Sequence, residues 1–201
     1  MQVERLVLGE LGTNVYLLVF DKEIFVIDPA DEVEAIKAAA ARYGKPISYV
    51  LLTHGHFDHS NAAAQLQRDG AKVLMSKTDY EMIENGFDLA KYCNVQFNSF
   101  VPDMFIEEGE LTLSEQSVRV LATPGHTAGS LTYIIEDNIF CGDTLFYLSV
   151  GRSDLPTGDK RQLTQSIKKL YTLPKNYPVY PGHGGQTDLD FERKNNPYVK
   201  A

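Results

Sequence analysis

The chain has no tryptophan, only two cysteines and only five histidines among its 201 residues. Cys93 and Cys141 form neither a zinc-type spacing nor a disulfide framework, and so sparse a set fits a reducing compartment. Positive charge is also scarce: 19 Lys and Arg stand against 27 Asp and Glu, a formal charge of −8. No global field therefore draws the chain to nucleic acid or to an anionic membrane. No apolar run approaches the ~20 residues of a membrane span. Glu4, Arg5 and Glu10 interrupt the N-terminus, and the apolar run at 15–20 is too short for a signal peptide's hydrophobic region. The expectation is a soluble, cytoplasmic protein with a small-molecule partner, and no nucleic-acid or membrane partner.

What is present is the composition of a globular chain that buries a core, 43% hydrophobic with 10% aromatic residues, and one domain over 1–201 is expected. Strand patterns cover residues 3–8, 14–20 and 23–27. The Asp28-Pro29 step ends the third, because proline lacks an N–H for the ladder and biases its predecessor away from helix. Asp31 is expected to cap an alanine-rich helix over 32–43, which Gly44 and Pro46 stop. Residues 47–52 are a continuous apolar run with β-branched members, read as a buried strand. A helix over 61–68 and a strand over 73–75 follow, an order that suggests a sheet with helices against it.

Residues 76–110 form a long excursion without a clean period. A helix over 78–83 and a helical turn near 88–92 are expected within it, and Tyr80, Tyr92 and Phe97 are candidate walls of a substrate site. Core packing is the alternative role for each of those aromatics. Strand signals return at 111–113, 117–122, 131–135 and 138–141. An amphipathic helix over 160–173 with Asp159 as its cap, a strand over 178–180 and a helix over 189–195 complete the chain.

Three of the five histidines fall in one stretch, Thr53-His54-Gly55-His56-Phe57-Asp58-His59, read as a loop directly after the buried run. The other two lie in turns of their own, Thr123-Pro124-Gly125-His126 and Pro181-Gly182-His183-Gly184, and Asp143 follows Phe140-Cys141-Gly142. Each ligand-type residue thus follows a strand-like run and sits beside or near glycine, where the backbone can approach closely. A solitary histidine in a turn is ordinarily a hydrogen-bonding residue, and a solitary Asp143 a turn former. Their joint placement points instead to a metal site. Five imidazoles and two carboxylates fill two metal ions if one carboxylate bridges, leaving an open position for water, as catalytic sites do. Nitrogen and oxygen ligands without thiolate suit Zn²⁺, Fe²⁺ or Mn²⁺. Cys141 reads as a small buried hydrophobe.

These motifs resemble the metallo-β-lactamase superfamily, with its His-x-His-x-Asp-His signature, over nearly the whole chain. Thr13-Asn14, Phe140–Phe146 as a run, Gly151-Arg152-Ser153-Asp154 and Asn196-Pro197-Tyr198 resemble its small glyoxalase-II-like hydrolases. The resemblance implies an α/β, four-layer αββα sandwich with the metals at one edge of two sheets. It assigns one ion to His54, His56 and His126, the other to Asp58, His59 and His183, and the bridge to Asp143. Asp28 is implied to buttress the ligand loops. Two divalent cations, zinc first and iron or manganese after it, would acidify a shared water to near neutral pH. The implied reaction is hydrolysis of a thioester such as S-lactoylglutathione; a thiolate leaves without needing a proton, and Asp58 is the one candidate acid for other leaving groups.

Two departures from the family pattern bear on the substrate. Arg152 matches a basic position that would bind a substrate carboxylate, but Asp154 stands where a tyrosine is expected, and the helical C-terminal domain that helps grip glutathione is not matched. The family's glycine after Pro29 is here Ala30. β-Lactamase activity is disfavoured by the complete ligand set. Alternatives on the same fold are a mononuclear iron persulfide dioxygenase using His54, His126 and Asp143, a lactone hydrolase, and a metal-binding module without catalysis. Replacing Asp143 with alanine is expected to lose both metal and thioester turnover; metal analysis and a thioester assay check this, and unchanged turnover would refute the bridging role.

Overall fold

Uninterrupted apolar runs make the strands at the centre of each sheet. The computed structural model describes residues 1–201 as two compact units, Met1–Ile106 and Glu107–Ala201.

The first unit is a six-stranded sheet in sequence order: β1 (Gln2–Leu8), β2 (Thr13–Val19), β3 (Ile24–Ile27), β4 (Ile47–Leu51), β5 (Lys72–Met75) and β6 (Met104–Phe105). The first three are antiparallel, and β3 through β6 are parallel. Every residue of β2 and β3 is buried, which is why these strands show no polar alternation. Between them run α1 (Val33–Ala41), α2 (Phe57–Ser60), α3 (Ala63–Arg68) and α4 (Lys77–Glu84). Ile36, Ala39 and Ala40 of α1 and Ala63, Ala64 and Leu66 of α3 join a core with Val15, Leu17, Val26, Val50 and Val73.

The second unit is another six-stranded sheet. Its strands are β7 (Gly109–Leu113), β8 (Gln116–Ala122), β9 (Leu131–Ile135), β10 (Asn138–Gly142), a separate two-stranded pair of β11 (Leu145–Phe146) with β12 (Ser149–Val150), and then β13 (Pro178–Pro181) and β14 (Thr187–Asp188). The spatial order of the six is β14-β13-β10-β9-β8-β7. β10 and β13 are parallel neighbours connected through α5 (Lys160–Tyr171), and α6 (Leu189–Asn195) follows β14. Leu163, Ile167, Leu170 and Tyr171, the apolar face expected of α5, pack with Leu121, Ile139, Cys141 and Val179. No helix is long and apolar enough to cross a membrane.

Four local expectations differ from the structure. The cap of α1 is Glu32, not Asp31; Glu32 takes a left-handed φ of 53°, and Asp31 Oδ1 accepts its N–H. The histidine motif is not all loop: α2 begins inside it, so Asp58 and His59 stand on a helical turn, and the helix expected over 61–68 is the shorter α3. Phe57 and Ser60 are buried on that turn, a local burial that the motif's glycine and histidines hide from a periodicity reading. Asp28 is neither extended nor polyproline-like; its φ is +50°, a conformation that costs a non-glycine residue about 1 kcal/mol. The excursion over 76–110 ends by adding β6 to the first sheet, and Asp103 secures it by accepting the Val73 N–H.

The turn carrying His126 is fixed to α5. Asp159 donates its N–H to Gly125 O at 2.9 Å, and Ser166 Oγ donates to Pro124 O at 2.7 Å. Gly125 has φ +132°, and a Cβ there would lie 2.1 Å from Leu163 N. The Leu163 backbone it would meet belongs to α5 and cannot swing aside as a side-chain end could. Gly125→Ala is expected to cost about 3 kcal/mol of stability, read as a fall in the urea midpoint; an unchanged midpoint would contradict the close approach.

Candidate metal centre

Parallel strands end side by side, so residues just past their carboxyl ends collect in one place. In the first unit, β3 delivers Asp28 and its parallel neighbour β4 delivers Thr53 to His59. Asp28, Thr53, His54, His56 and His59 are all buried. A buried carboxylate needs hydrogen-bond donors, and Asp28 has three. Thr53 donates its N–H to Oδ1 at 2.7 Å and its hydroxyl to Oδ2 at 2.7 Å, and His59 Nδ1 lies 3.0 Å from Oδ2.

These contacts determine which nitrogen carries the proton in the His59 and His54 rings. A carboxylate only accepts, so His59 Nδ1 donates to Asp28 and leaves Nε2 with its lone pair. The Thr53 hydroxyl hydrogen is used on Asp28, so the 3.0 Å contact between Thr53 Oγ1 and His54 Nδ1 is donated by His54. His54 Nε2 then also keeps the lone pair that a metal could take. The Nε2 atoms of His54 and His56 are sealed from solvent. The His54 ring lies 4.1 Å from that of His59 and 4.8 Å from that of His56, centroid to centroid. Asp28, His54 and His59 offer ligand-type atoms within 4.8 Å of one another. Asp28 is nevertheless the orienting member of that trio, because both its oxygens are engaged by Thr53 and His59.

Thr13 Oγ1 holds Asp58 by donating to its Oδ2 at 3.1 Å, and the same oxygen lies 3.3 Å from His59 Nε2, two ligand-type atoms side by side as a shared cation would need them. Gly55 between the two histidines is backed by α4: its N–H donates to Asp79 Oδ2 at 2.9 Å. A cavity of about 160 Å³ opens beside Asp58, walled by Leu11, Phe57 and Val95, with Glu10 and Asp31 among its lining residues.

In the second unit, β10 ends at Gly142 and its parallel neighbour β13 at Pro181. Gly182 N donates to Gly142 O at 2.8 Å, and this sets Asp143 beside His183. Asp143 Oδ2 lies 3.6 Å from His126 Nε2 and 3.6 Å from His183 Nε2. That spacing exceeds a hydrogen bond and suits three atoms directed at common cations. His126 Nδ1 donates to the Arg152 carbonyl at 2.8 Å, so its Nε2 too is left for a metal. This is the arrangement expected of ligating imidazoles, whose second nitrogen is anchored by an oxygen. Gly151 must be glycine here: a Cβ would fall 1.7 Å from Asp143 O.

The Arg152 side chain points elsewhere. Its Nε and one terminal nitrogen pair with Asp154 at 2.8 and 2.9 Å, and the guanidinium beside it pulls the Asp154 carboxyl down to about 2. Of the candidate walls, Tyr80 packs against Phe105 and Phe97 against Phe100, while Tyr92 is exposed. Cys141 is buried with its Sγ 3.3 Å from Leu145 O, as a small hydrophobe would be.

A model of the metallo-beta-lactamase superfamily matches residues 8–183. The chain belongs to the metallo-β-lactamase superfamily. It is 31% identical to the probable metallo-hydrolase YqgX of Bacillus subtilis, covering 100% of this chain and 99% of that one. It is 34% identical to the hydroxyacylglutathione hydrolase GloC of Haemophilus influenzae, over 90% of this chain and 89% of that one. Among solved structures, it is similar to the BLEG-1 B3 metallo-beta-lactamase with a TM-score of 0.92, 32% identity and full coverage of both chains. TTHA1623 in a di-iron-bound form gives 0.90 and 35%, with 98% and 100% covered. ETHE1 from Myxococcus xanthus gives 0.84 and 28%, with 99% and 84% covered. The fold is the mixed α/β metallo-β-lactamase fold, and this superfamily member carries groups of histidine and aspartate able to hold metal.

Asp28→Asn tests the orienting role. An amide would set an N–H against one of the three donors, so metal affinity is expected to fall about 10–100-fold with the far-UV spectrum unchanged. Chelator competition measures it; wild-type affinity would remove Asp28 from the centre.

Proposed function

We propose that the chain is a binuclear metallohydrolase that cleaves thioesters, of the S-2-hydroxyacyl type such as S-lactoylglutathione. The observation that carries this reading is Asp143 Oδ2 at 3.6 Å from both His126 Nε2 and His183 Nε2, as a carboxylate shared between two ions would be. In this reading His54, His56 and His126 hold one ion, Asp58, His59 and His183 hold the other, and Asp143 bridges them. The donor set suits them: His54, His59 and His126 have Nδ1 anchored and Nε2 directed away from the anchor. Zinc is the first expectation for a set of nitrogen and oxygen ligands, with iron or manganese as alternatives; the di-iron form of a 35% identical relative favours testing iron. Two such ions would supply Lewis-acid polarisation of the carbonyl and a water acidic enough to ionise near neutral pH.

The chain's own residues do the rest. All five histidines are assigned to holding ions, which leaves none for proton transfer to a leaving group. A thiolate needs no such proton, and this is why a thioester fits the site better than an amide. Asp58, itself assigned to the second ion, is the one candidate acid for other leaving groups, and Thr13 directs its Oδ2. The cavity beside it has room for a small group, and the carboxylates of Glu10 and Asp31 in its lining disfavour an anionic one. Arg152 would orient a substrate carboxylate by exchanging Asp154 for it, a replacement made easy by the exposure of that pair. The hydroxyacylglutathione hydrolase among the relatives supports the thioester class.

A second reading is favoured by the similarity to ETHE1: a persulfide dioxygenase with a single Fe²⁺ on His54, His126 and Asp143. The test is metal analysis of protein purified without chelator, paired with a substrate panel. The panel holds S-lactoylglutathione, the same acyl group on smaller thiols, a lactone, a β-lactam and glutathione persulfide under an oxygen electrode. Two metals per chain and fastest turnover on a thioester are expected. One iron per chain with oxygen uptake on the persulfide would overturn the proposal.

A further inference from the structure

Glu192 is fully buried on α6, has no cation opposite it, and is used by nothing described so far. Its carboxylate takes four hydrogen-bonding contacts, every one from a donor. The Leu148 N–H lies 3.1 and 3.2 Å from its two oxygens, Thr187 Oγ1 donates to Oε1 at 2.6 Å, and Asn196 Nδ2 donates to Oε2 at 2.9 Å. Burying a carboxylate is costly even when its oxygens are satisfied. Helix capping does not account for it, because Asp188 already caps α6 by accepting the Phe191 N–H.

What Glu192 grips is the hairpin of β11 and β12. Leu148, in its turn, has φ +51°, a left-handed conformation that a leucine keeps only when surroundings enforce it. Asn196 holds the next residue by donating Nδ2 to Ser149 O at 3.1 Å. Tyr147 stacks on Phe191 at 5.3 Å with ring planes 11° apart. Three consecutive hairpin residues are therefore tied to α6. The strand they open, β12, runs directly into Gly151, packed against the Asp143 carbonyl, and into Arg152, whose carbonyl fixes the His126 ring.

We propose that Glu192 is a positioning residue for the His126 and Asp143 ligands, acting through Leu148 and β12 on the Arg152 carbonyl. The proposal rests on those two residues being metal ligands, as in the function proposed above, but its structural part can be read without turnover. A helix that follows the last ligand strand thus sets the orientation of a ligand nearly seventy positions earlier in sequence, counted from His126 to Glu192.

Glu192→Gln is the test, because it preserves shape while turning an N–H toward one of the donors. Two measurements are made on the full chain. The first is amide hydrogen exchange at Leu148 and Ser149, which is expected to accelerate at least about tenfold. The second is zinc affinity by chelator competition, expected to fall by about tenfold or more, with the β7–β8 amides keeping wild-type exchange. Wild-type exchange at Leu148 would overturn the grip. Accelerated exchange with unchanged zinc affinity would overturn the positioning role. If wild-type protein binds zinc but hydrolyses no thioester, the functional reading fails while both of these measurements still stand. Should Glu192→Gln not fold, Asn196→Ala loosens the same hairpin from its other strand, and the same two outcomes decide.

Discussion

The three donors on the Asp28 carboxylate are the constraint on which the histidine cluster of the first unit depends. They join a strand end, a loop and a helical turn that sequence separates: Asp28 follows β3, Thr53 follows β4 and His59 lies on α2. Because Thr53 spends its hydroxyl hydrogen on Asp28, His54 is forced to donate from Nδ1, and two imidazoles are oriented through one carboxylate. The positive φ of Asp28 and the proline after it are the local cost of aiming that carboxylate back over the neighbouring strand. A carboxylate whose acceptors were less than fully engaged could turn and become a ligand itself. Its saturation is what keeps it an anchor.

The second unit positions its own histidines with backbone. There the anchor of His126 is a carbonyl, and its position depends on the hairpin before it, on Gly151 and on the turn fixed to α5. Asp143 and His183 come together because β10 and β13 are parallel neighbours, so strand register replaces side-chain hydrogen bonds as the positioning device. Side-chain oxygens commit Nδ1 of His54 and His59 in the first unit, and a backbone carbonyl commits Nδ1 of His126 in the second.

Much of this was legible in the sequence. The clustered histidines could be found because histidine is rare in the chain, and because each follows an apolar run that ends at a glycine-rich turn. The strands of both sheets were legible for the same reason, since buried strands read as unbroken apolar runs. The apolar face of α5 and the cap at Asp159 followed from spacing alone. What could not be read were contacts made across the sheet. Asp79 behind Gly55 and Glu192 under the hairpin stand as single carboxylates in helical contexts, where an exposed acid is the ordinary expectation. The helical turn at α2 was hidden because its residues are chosen for their side-chain chemistry and not for propensity. The exchange of Asp31 for Glu32 at the start of α1 turns on one left-handed residue that composition does not mark.

Asp28 and Thr53, which anchor His54 and His59, Thr13, which holds Asp58, and Asp79, which backs Gly55, lie in the same unit as the groups they hold. Asp28, Thr13, Thr53 and Asp79 all precede residue 107, the first of the second unit. A change at any one of these anchors is therefore felt first by its own neighbours, and damage to the histidine cluster of the first unit is inherited locally.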